Sequence, residues 1–595
     1  VPQALLVLWL LLSAAGAAPP WRSSGLLEIT DDGRLLLVAN PDSGTLSVVA
    51  LQGYRKLREI PVGRRPQSVA AVPNQSVALV TLYDEDRVVA VDYAEGRLVR
   101  TFEIADEPCG VVVDRAGRFA YVSHDYPGLI TVLDLAAGRA AEQIATGSFV
   151  RGLALAPDGQ KLLATEFYSA TLVEIDLPRR RPVRRWAGKP GYNLCRAVAV
   201  DPAGRKAFLP HTRSNTAVIK QEGSIFPMLS IVKLDAPVAS ARRPIALDTY
   251  NGFRAVAMPW DAAITSDGQF LLTVYAGSDD MHVSRILDDD YYEIELLRPA
   301  FRVGRNPRAV VAHPTRPEAY VYCSLDFEVA VLDLRTLRIT RRIPVTARPY
   351  AAEIWLGKVL FNSALQPMAG RRWVSCAVCH PDGQPDGRTW QMPEGPRNTP
   401  SLAGIRYTTP LHWSADRDEV QDFEHTIRGP LMRGRGLIRG KPFPALGRPN
   451  AGRSAELDAL AAYCNSIPFS LSPHAPGGKL SDLARRGRQL FYREDVGCAE
   501  CHRGPFFTDR KTHDVGTATE DEKYGPAFDT PTLLGIYRTA PYLHHGQAAT
   551  LRDVLTRFNR GDRHGRTSHL SSRDIDALVA FLKALPYEEP QPPKP

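Results

Sequence analysis

Between residues 24 and 352 the apolar positions fall in short alternating bursts rather than in helical stripes. One unit recurs: an apolar strand, a turn of the Pro-Asp-Gly kind, a second apolar strand, then a third ending in Val-x-Asp-Leu or a close variant. ITDDGRLLLVAN (29–40), VDRAGRFAYVSH (113–124), LAPDGQKLLATE (155–166), VDPAGRKAFLPH (200–211) and AHPTRPEAYVYC (312–323) show the first half. TLSVVAL, RVVAVDY, LITVLDL, TLVEIDL and VAVLDL show the third strand. The period is about 42 residues, with longer units at 197–254 and 255–307. That length holds four short antiparallel strands, and seven such units predict a seven-bladed β-propeller over 24–352.

After Trp355 the pattern changes to helical spacing broken by long loops rich in Gly, Pro and Arg. A second, larger repeat lies here. WVSCAVCH (373–380) parallels DVGCAECH (495–502), and RNTPSLAGIRYTTPLHWSADR (397–417) parallels FDTPTLLGIYRTAPYLHHGQA (528–548). LDALAAYCNSIP (457–468) parallels IDALVAFLKALP (575–586), each reading as an amphipathic helix. The expectation is a multidomain chain: the all-β propeller, then two tandem mainly α cytochrome c-type domains at 353–475 and 476–590. SLSPHAPGG, from Ser470 to Gly478, is the linker between them.

With 595 residues the chain exceeds a single core. Its formal charge of +8 is modest for that length, and the absence of a Lys/Arg-rich run argues against nucleic acid. The apolar stretch Ala4 to Leu12 runs into small residues and reads as a signal peptide over 1–18, which implies export to the bacterial periplasm or beyond. The stretch is short for a membrane span, and no membrane span is expected once it is cleaved. Of the eight cysteines, Cys109, Cys195, Cys323 and Cys464 are scattered, and their pairing cannot be read from the sequence.

The other four carry the chemistry. Cys376-x-x-Cys379-His380 and Cys498-x-x-Cys501-His502 are each a c-type haem attachment string. Two thiols bond the porphyrin, and the following His is the proximal iron ligand. A zinc site or redox dithiol is the competing reading. Two such strings, each opening a matching repeat on an exported chain, favour two covalently bound haems.

The propeller offers a second candidate. Strand-two ends include Asn40, Leu82, His124, Glu166, His211, Tyr275 and Cys323; strand-one starts include Cys109, Arg151, Arg196, Arg254 and Arg308. Both sets fall at one mouth of the central channel. The ring could bind a metal through His124, Glu166, His211 and Cys323, a substrate, or the docked haem domains. The plainer alternative is that these residues tie blades together.

The propeller repeats resemble the YVTN-type family, and the region after 355 resembles the bacterial di-haem cytochrome c peroxidase/MauG family. Thr539-Ala540-Pro541-Tyr542-Leu543-His544-x-Gly546 and Arg397-Asn398-Thr399-Pro400, with Trp413 fifteen residues after the Asn, carry that likeness. The resemblance implies an oxidoreductase that reduces hydrogen peroxide, or uses it to oxidise a partner protein. It places a calcium ion at Asn398 and the carbonyls of Thr539 and Pro541, and an electron relay at Trp413. Glu424 and His425 fall nearest the family's polar residue on the open side of the first haem. The donor would be a small cytochrome c or a cupredoxin. Two departures stand out. Trp390 occupies the position of the family's switchable His, with Met392 close by. Phe558 occupies that of the second haem's Met or Tyr ligand, leaving His564 or His569 as substitutes. The alternative is a non-catalytic electron carrier whose propeller docks a redox partner.

Overall fold

The computed structural model describes residues 22–217, 224–248, 255–287 and 292–591. The segment 1–18 and Arg254 lie outside them. Seven antiparallel sheets follow one another along the chain, at 27–61, 66–103, 108–145, 150–186, 192–246, 259–302 and 307–344. The main strands of each run in sequence order, as tight hairpins require, with Phe301–Arg302 returning to pair with Asp280 and Met281 in the sixth. The third blade shows why they stack. Its innermost strand Pro108–Val113 is buried throughout, whereas in the outermost strand Arg139–Ala145 only Ile144 is buried. Inner strands therefore have apolar neighbours on both faces, and outer strands keep one wet face. The Asp-x-x-Gly turns work by local chemistry. Gly117 sits at φ +65°, and Asp114 Oδ1 accepts the Arg118 amide at 2.8 Å.

A feature with no repeat signature lies before the first blade. Arg22–Ser23 pairs antiparallel with the innermost strand of blade four, opposite Leu155 and Ala154. Gly25 then bonds blade two, its amide to Ser68 Oγ at 3.1 Å and its carbonyl to the Val69 amide at 2.9 Å. The chain thus crosses the central channel before entering blade one. Blade seven closes on blade one without sharing a strand, through contacts such as Ser47 Oγ to Val345 O at 2.6 Å.

The C-terminal part is built on two helix pairs. Ala352–Asn362 packs on Ala455–Asn465, and Asp482–Phe491 packs on Ser572–Lys583. Both crossings are closed by a glycine. A Cβ on Gly357 would meet Ala459 O at 1.9 Å, and one on Gly487 would meet Ala577 O at 1.9 Å. The repeat is therefore structural as well as textual.

These helical repeats sit on the propeller face formed by strand-two ends and strand-one starts. Trp355 Nε1 donates to Leu325 O at 2.9 Å, the Ala364 amide to Gly277 O at 2.7 Å, and the Gln391 amide to Thr216 O at 2.8 Å. Arg372 pairs with Asp280, and Arg538 with Glu107. The second pair is buried on both sides, so removing either partner would strand a charge. Of the three roles open to that mouth, docking of the C-terminal helical repeats is the one these contacts serve.

The ring's metal-ligand types are engaged within the propeller. His124 contacts Asp106 O and Thr131 Oγ1, each at 2.8 Å. His211 Nε2 contacts Ser230 Oγ at 2.8 Å, Glu166 pairs with Arg185, and Cys323 is buried. Burial pushes both imidazoles down, His124 to about 4 and His211 to about 3, so both are neutral. Among the described residues, the only Cys/His/Asp/Glu trio close enough to hold a metal is Cys501, Asp509 and His513, and it includes a haem-string thiol. Cys109, Cys195, Cys323 and Cys464 are buried free thiols.

Candidate haem centres

The first attachment string forms a single turn, Cys376–Cys379, at the wall of a cavity lined mainly by apolar side chains, among them Trp390, Met392, Leu411, Phe423, Ile427 and Met432. Cys376, Cys379 and His380 all face it. His380 Nδ1 contacts Pro400 O at 3.1 Å, which turns its other nitrogen toward the cavity. Burial lowers the His380 imidazole to about 4, so it is a neutral base ready to bind metal. Thioether-forming thiols, an oriented neutral His and an apolar slot together fit a c-type haem.

The opposite chemistry of this cavity comes from residues the sequence reading passed over. His412 lines it, with Nδ1 2.8 Å from Asp416 Oδ1 and its ring edge-on to Phe423 at 4.9 Å. Burial pushes the Asp416 carboxyl up, but the His412 hydrogen bond and the nearby charges outweigh it and hold it below the usual range. The local signal was present in Leu-His-Trp-Ser-Ala-Asp, an imidazole and a carboxylate four residues apart.

Glu424 and His425 stand just outside. Glu424 is fully buried and accepts hydrogen bonds from Arg428 Nε at 2.6 Å and from the amides of Leu437 and Ile438 at 2.9 to 3.1 Å. It anchors the following loop. His425 Nε2 contacts Phe443 O at 2.9 Å. From that turn it is Thr426 and Ile427 that line the cavity.

Trp413 also lines it, and it reaches the second repeat. Its Nε1 donates to Asn398 O at 2.8 Å, its carbonyl accepts the Asp529 amide at 2.8 Å, and its ring lies 6.4 Å from His544. Trp390 donates to Asp386 Oδ2 at 3.0 Å and faces the cavity, as does Met392.

The second string repeats the proximal design. His502 Nδ1 contacts Phe507 O at 3.0 Å. The His564 ring faces it at 6.3 Å, whereas His569 turns away to Asp495 at 3.3 Å. Phe558 bonds Asp553 O through its amide and lies beside Arg557. Asn398 and Pro541 meet around Gly546, where a Cβ would come 3.2 Å from each. The Asn398 amide nitrogen donates to Arg388 O at 3.3 Å, and Thr539 Oγ1 bonds Ile536 O at 3.3 Å. The calcium set of Asn398, Thr539 and Pro541 thus has neutral oxygens and no carboxylate, a weak complement for a hard dication.

No protein-family model matches the chain. It is 30% identical over 289 residues to hydrazine synthase subunit gamma of Kuenenia stuttgartiensis, covering 40% of this chain and 79% of that protein. It is 28% identical over 306 residues to methylamine utilization protein MauG of Methylorubrum extorquens, covering 43% and 86%. Cytochrome c551 peroxidase of Pseudomonas aeruginosa is 26% identical over 289 residues, covering 40% and 79%. A solved chain of Kuenenia stuttgartiensis hydrazine synthase superposes with a TM-score of 0.48 at 16% identity, covering 56% of this chain and 99% of that one.

Fold, haem strings and relatives together define a c-type haem oxidoreductase joined to a seven-bladed propeller. Within that class the chain belongs to the di-haem cytochrome c peroxidase/MauG family.

Proposed function

We propose that this protein reduces hydrogen peroxide, or uses it to oxidise a partner protein, at a haem attached to Cys376 and Cys379 and bound by His380. The observation that supports it best is His412, on the wall of the same cavity as His380 and held from behind by Asp416. When bound, the haem supplies the redox chemistry of O–O cleavage. Asp416 holds His412 by Nδ1, leaving the Nε2 edge to take a proton from peroxide and return it to the oxygen that leaves as water. The apolar lining excludes bulk water from that exchange. Trp413 bridges toward the second repeat, where His502 and His564 would hold a second haem in a closed, electron-storing role. The reductant would be a small cytochrome c or cupredoxin, and the setting the periplasm. No helix among the described residues is long and apolar enough to cross a membrane.

A resting-state spectrum with a peroxide titration tests this. A high-spin ferric signal that changes with peroxide, and that loses its response in His412→Ala, is the expected result. Two low-spin haems inert to peroxide would leave only the electron-carrier reading. The 30% identity to hydrazine synthase subunit gamma favours a second reading, in which the cavity takes a small nitrogen compound. A high-spin haem blind to peroxide but perturbed by hydroxylamine or hydrazine would select it.

A further inference from the structure

We propose that the propeller is an electrostatic part of the first haem site, acting through Asp382. This residue follows His380 by two positions, in the turn Pro381–Gly383, and reaches into the channel mouth at φ +54°. Arg151 Nη1 lies 3.3 Å from its carboxylate, Arg65 Nη2 3.8 Å and Arg308 Nη1 3.9 Å. The three arginines come from the inner edges of blades two, four and seven. A fourth, Arg196, lines the same cavity from blade five. It stacks on Trp260 at 3.9 Å and Phe167 at 4.8 Å, and its buried Nε and Nη2 have no hydrogen-bond partner.

Charge decides what this arrangement does. Asp125 pairs with Arg151 at 2.7 Å and Asp84 with Arg65 at 3.3 Å. Asp261 lines the same cavity, but its oxygens accept the Ala262 and Val310 amides and burial pushes its carboxyl up to about 7, so the ion pairs match three guanidinium groups with three carboxylates and Arg196 is the excess. Arg538 also nears Asp125, but Glu107 neutralises it. Phe167 and Trp260, on which Arg196 stacks, pack in one apolar core with Cys376, Cys379 and Trp390 of the haem cavity. Fixed charges act across such a layer with little screening. A net positive cluster on the proximal side favours the ferrous over the ferric haem, so the propeller raises the first midpoint potential. Asp382 is a positioning residue that brings the proximal loop to the arginines and moderates their field.

A mere interdomain lock would give no signed effect on the haem. This inference rests on haem attachment at Cys376 and Cys379. Spectroelectrochemical titration of the full-length holoprotein, resolving both haems, tests it with Arg196→Met, Arg196→Lys and Asp382→Asn. Arg196→Met should lower the first midpoint, and Arg196→Lys should restore it toward wild type. Asp382→Asn should raise it. The second haem should not move. Twofold in the ferric-to-ferrous ratio at fixed poise is the least shift that counts. An unmoved first midpoint in Arg196→Met, or equal shifts in the Met and Lys variants, overturns the proposal even if Asp382→Asn does not fold. Haem counted on the same wild-type sample separates the two claims. A protein lacking the first haem removes the attachment reading and this one with it, whereas full loading with an insensitive midpoint removes this one alone.

Discussion

The imidazole rings of His502 and His564 stand 6.3 Å apart between centroids, their planes at 40°. An imidazole nitrogen binds a metal at about 2.0 Å and the ring centre lies roughly 1.1 Å further, so two rings sharing one ion would stand about 6.2 Å apart, close to that separation. Phe558 cannot ligate iron, so His564 would take the place of the family's Met or Tyr. His564→Ala should convert the second haem from low-spin to high-spin in the ferric electronic and EPR spectra. His569→Ala, which removes only a contact to Asp495, should leave both spectra as they were. A low-spin second haem in His564→Ala would exclude this ligand.

His412 and Glu424 should separate chemistry from stability. Loss of a positioned acid–base group slows proton transfer by about 10²–10⁴-fold. His412→Ala should therefore lower the peroxide rate constant by that order, with haem content and melting temperature near wild type. Glu424→Gln should do the reverse. Its carboxylate holds the amides of Leu437 and Ile438, and weakening those charge-assisted bonds costs about 1–3 kcal/mol. A lower melting temperature with an intact rate per haem is the expected outcome. Stopped-flow absorbance and calorimetry on matched samples would expose the opposite assignment.

Gly357 and Gly487 hold equivalent positions in the two helix pairs, and a methyl group at either runs into a carbonyl oxygen at 1.9 Å. Rigid backbone is the obstacle, so the helices must separate. Overpacking of this kind costs about 1–3 kcal/mol. Gly357→Ala should destabilise the first repeat and lower its haem loading, and Gly487→Ala should do so for the second. Haem content resolved by the two spectra would show each loss on its own side. Equal losses at both haems would mean that the repeats do not fold as separate pairs.

The parts of this molecule that were legible in the sequence are those set by local periodicity. Alternation with a turn every few residues gave seven blades, because each strand pair is a hairpin closed by its own Asp and Gly. The two Cys-x-x-Cys-His strings announced their chemistry because the two thiols and the His of each fall within five positions. What was not legible depends on contacts between distant segments. Arg22–Ser23 pairs with residues more than a hundred positions away, and nothing in its two residues signals a strand. Glu424 had the right chemical type for a proton carrier, but amides thirteen and fourteen positions later satisfy it. His412 was overlooked because the loop from 401 to 423 has no period from which to judge which side chains face inward. The arginines at strand-one starts were visible as a ring, but Asp382, which they meet, lies in another domain.

Asp106 should make stability depend on pH in a direction opposite to the usual carboxylate. Burial, and then the neighbouring Asp86, push its carboxyl up to about 8, and its Oδ2 has no partner. An unfolded aspartate titrates near 3.9. The folded state therefore holds a proton that the unfolded state has lost, and this group's effect is to lower stability as pH rises from about 4 to about 8. Below that window it costs nothing, and above it the cost is constant. Asp106→Asn keeps the shape and removes the titration. The melting-temperature gap between Asp106→Asn and wild type should widen in favour of the variant from pH 5 to pH 8, then level off. Asp261, Asp386 and Asp529 are raised in the same way, to about 7 or 8, so a slope will persist in the variant. The signature is the pH dependence of the difference, on the order of 1–3 kcal/mol at its plateau after allowing for partial exposure. A gap that stays flat across that range would mean that Asp106 is ionised in the folded protein, sharing no proton with Asp86.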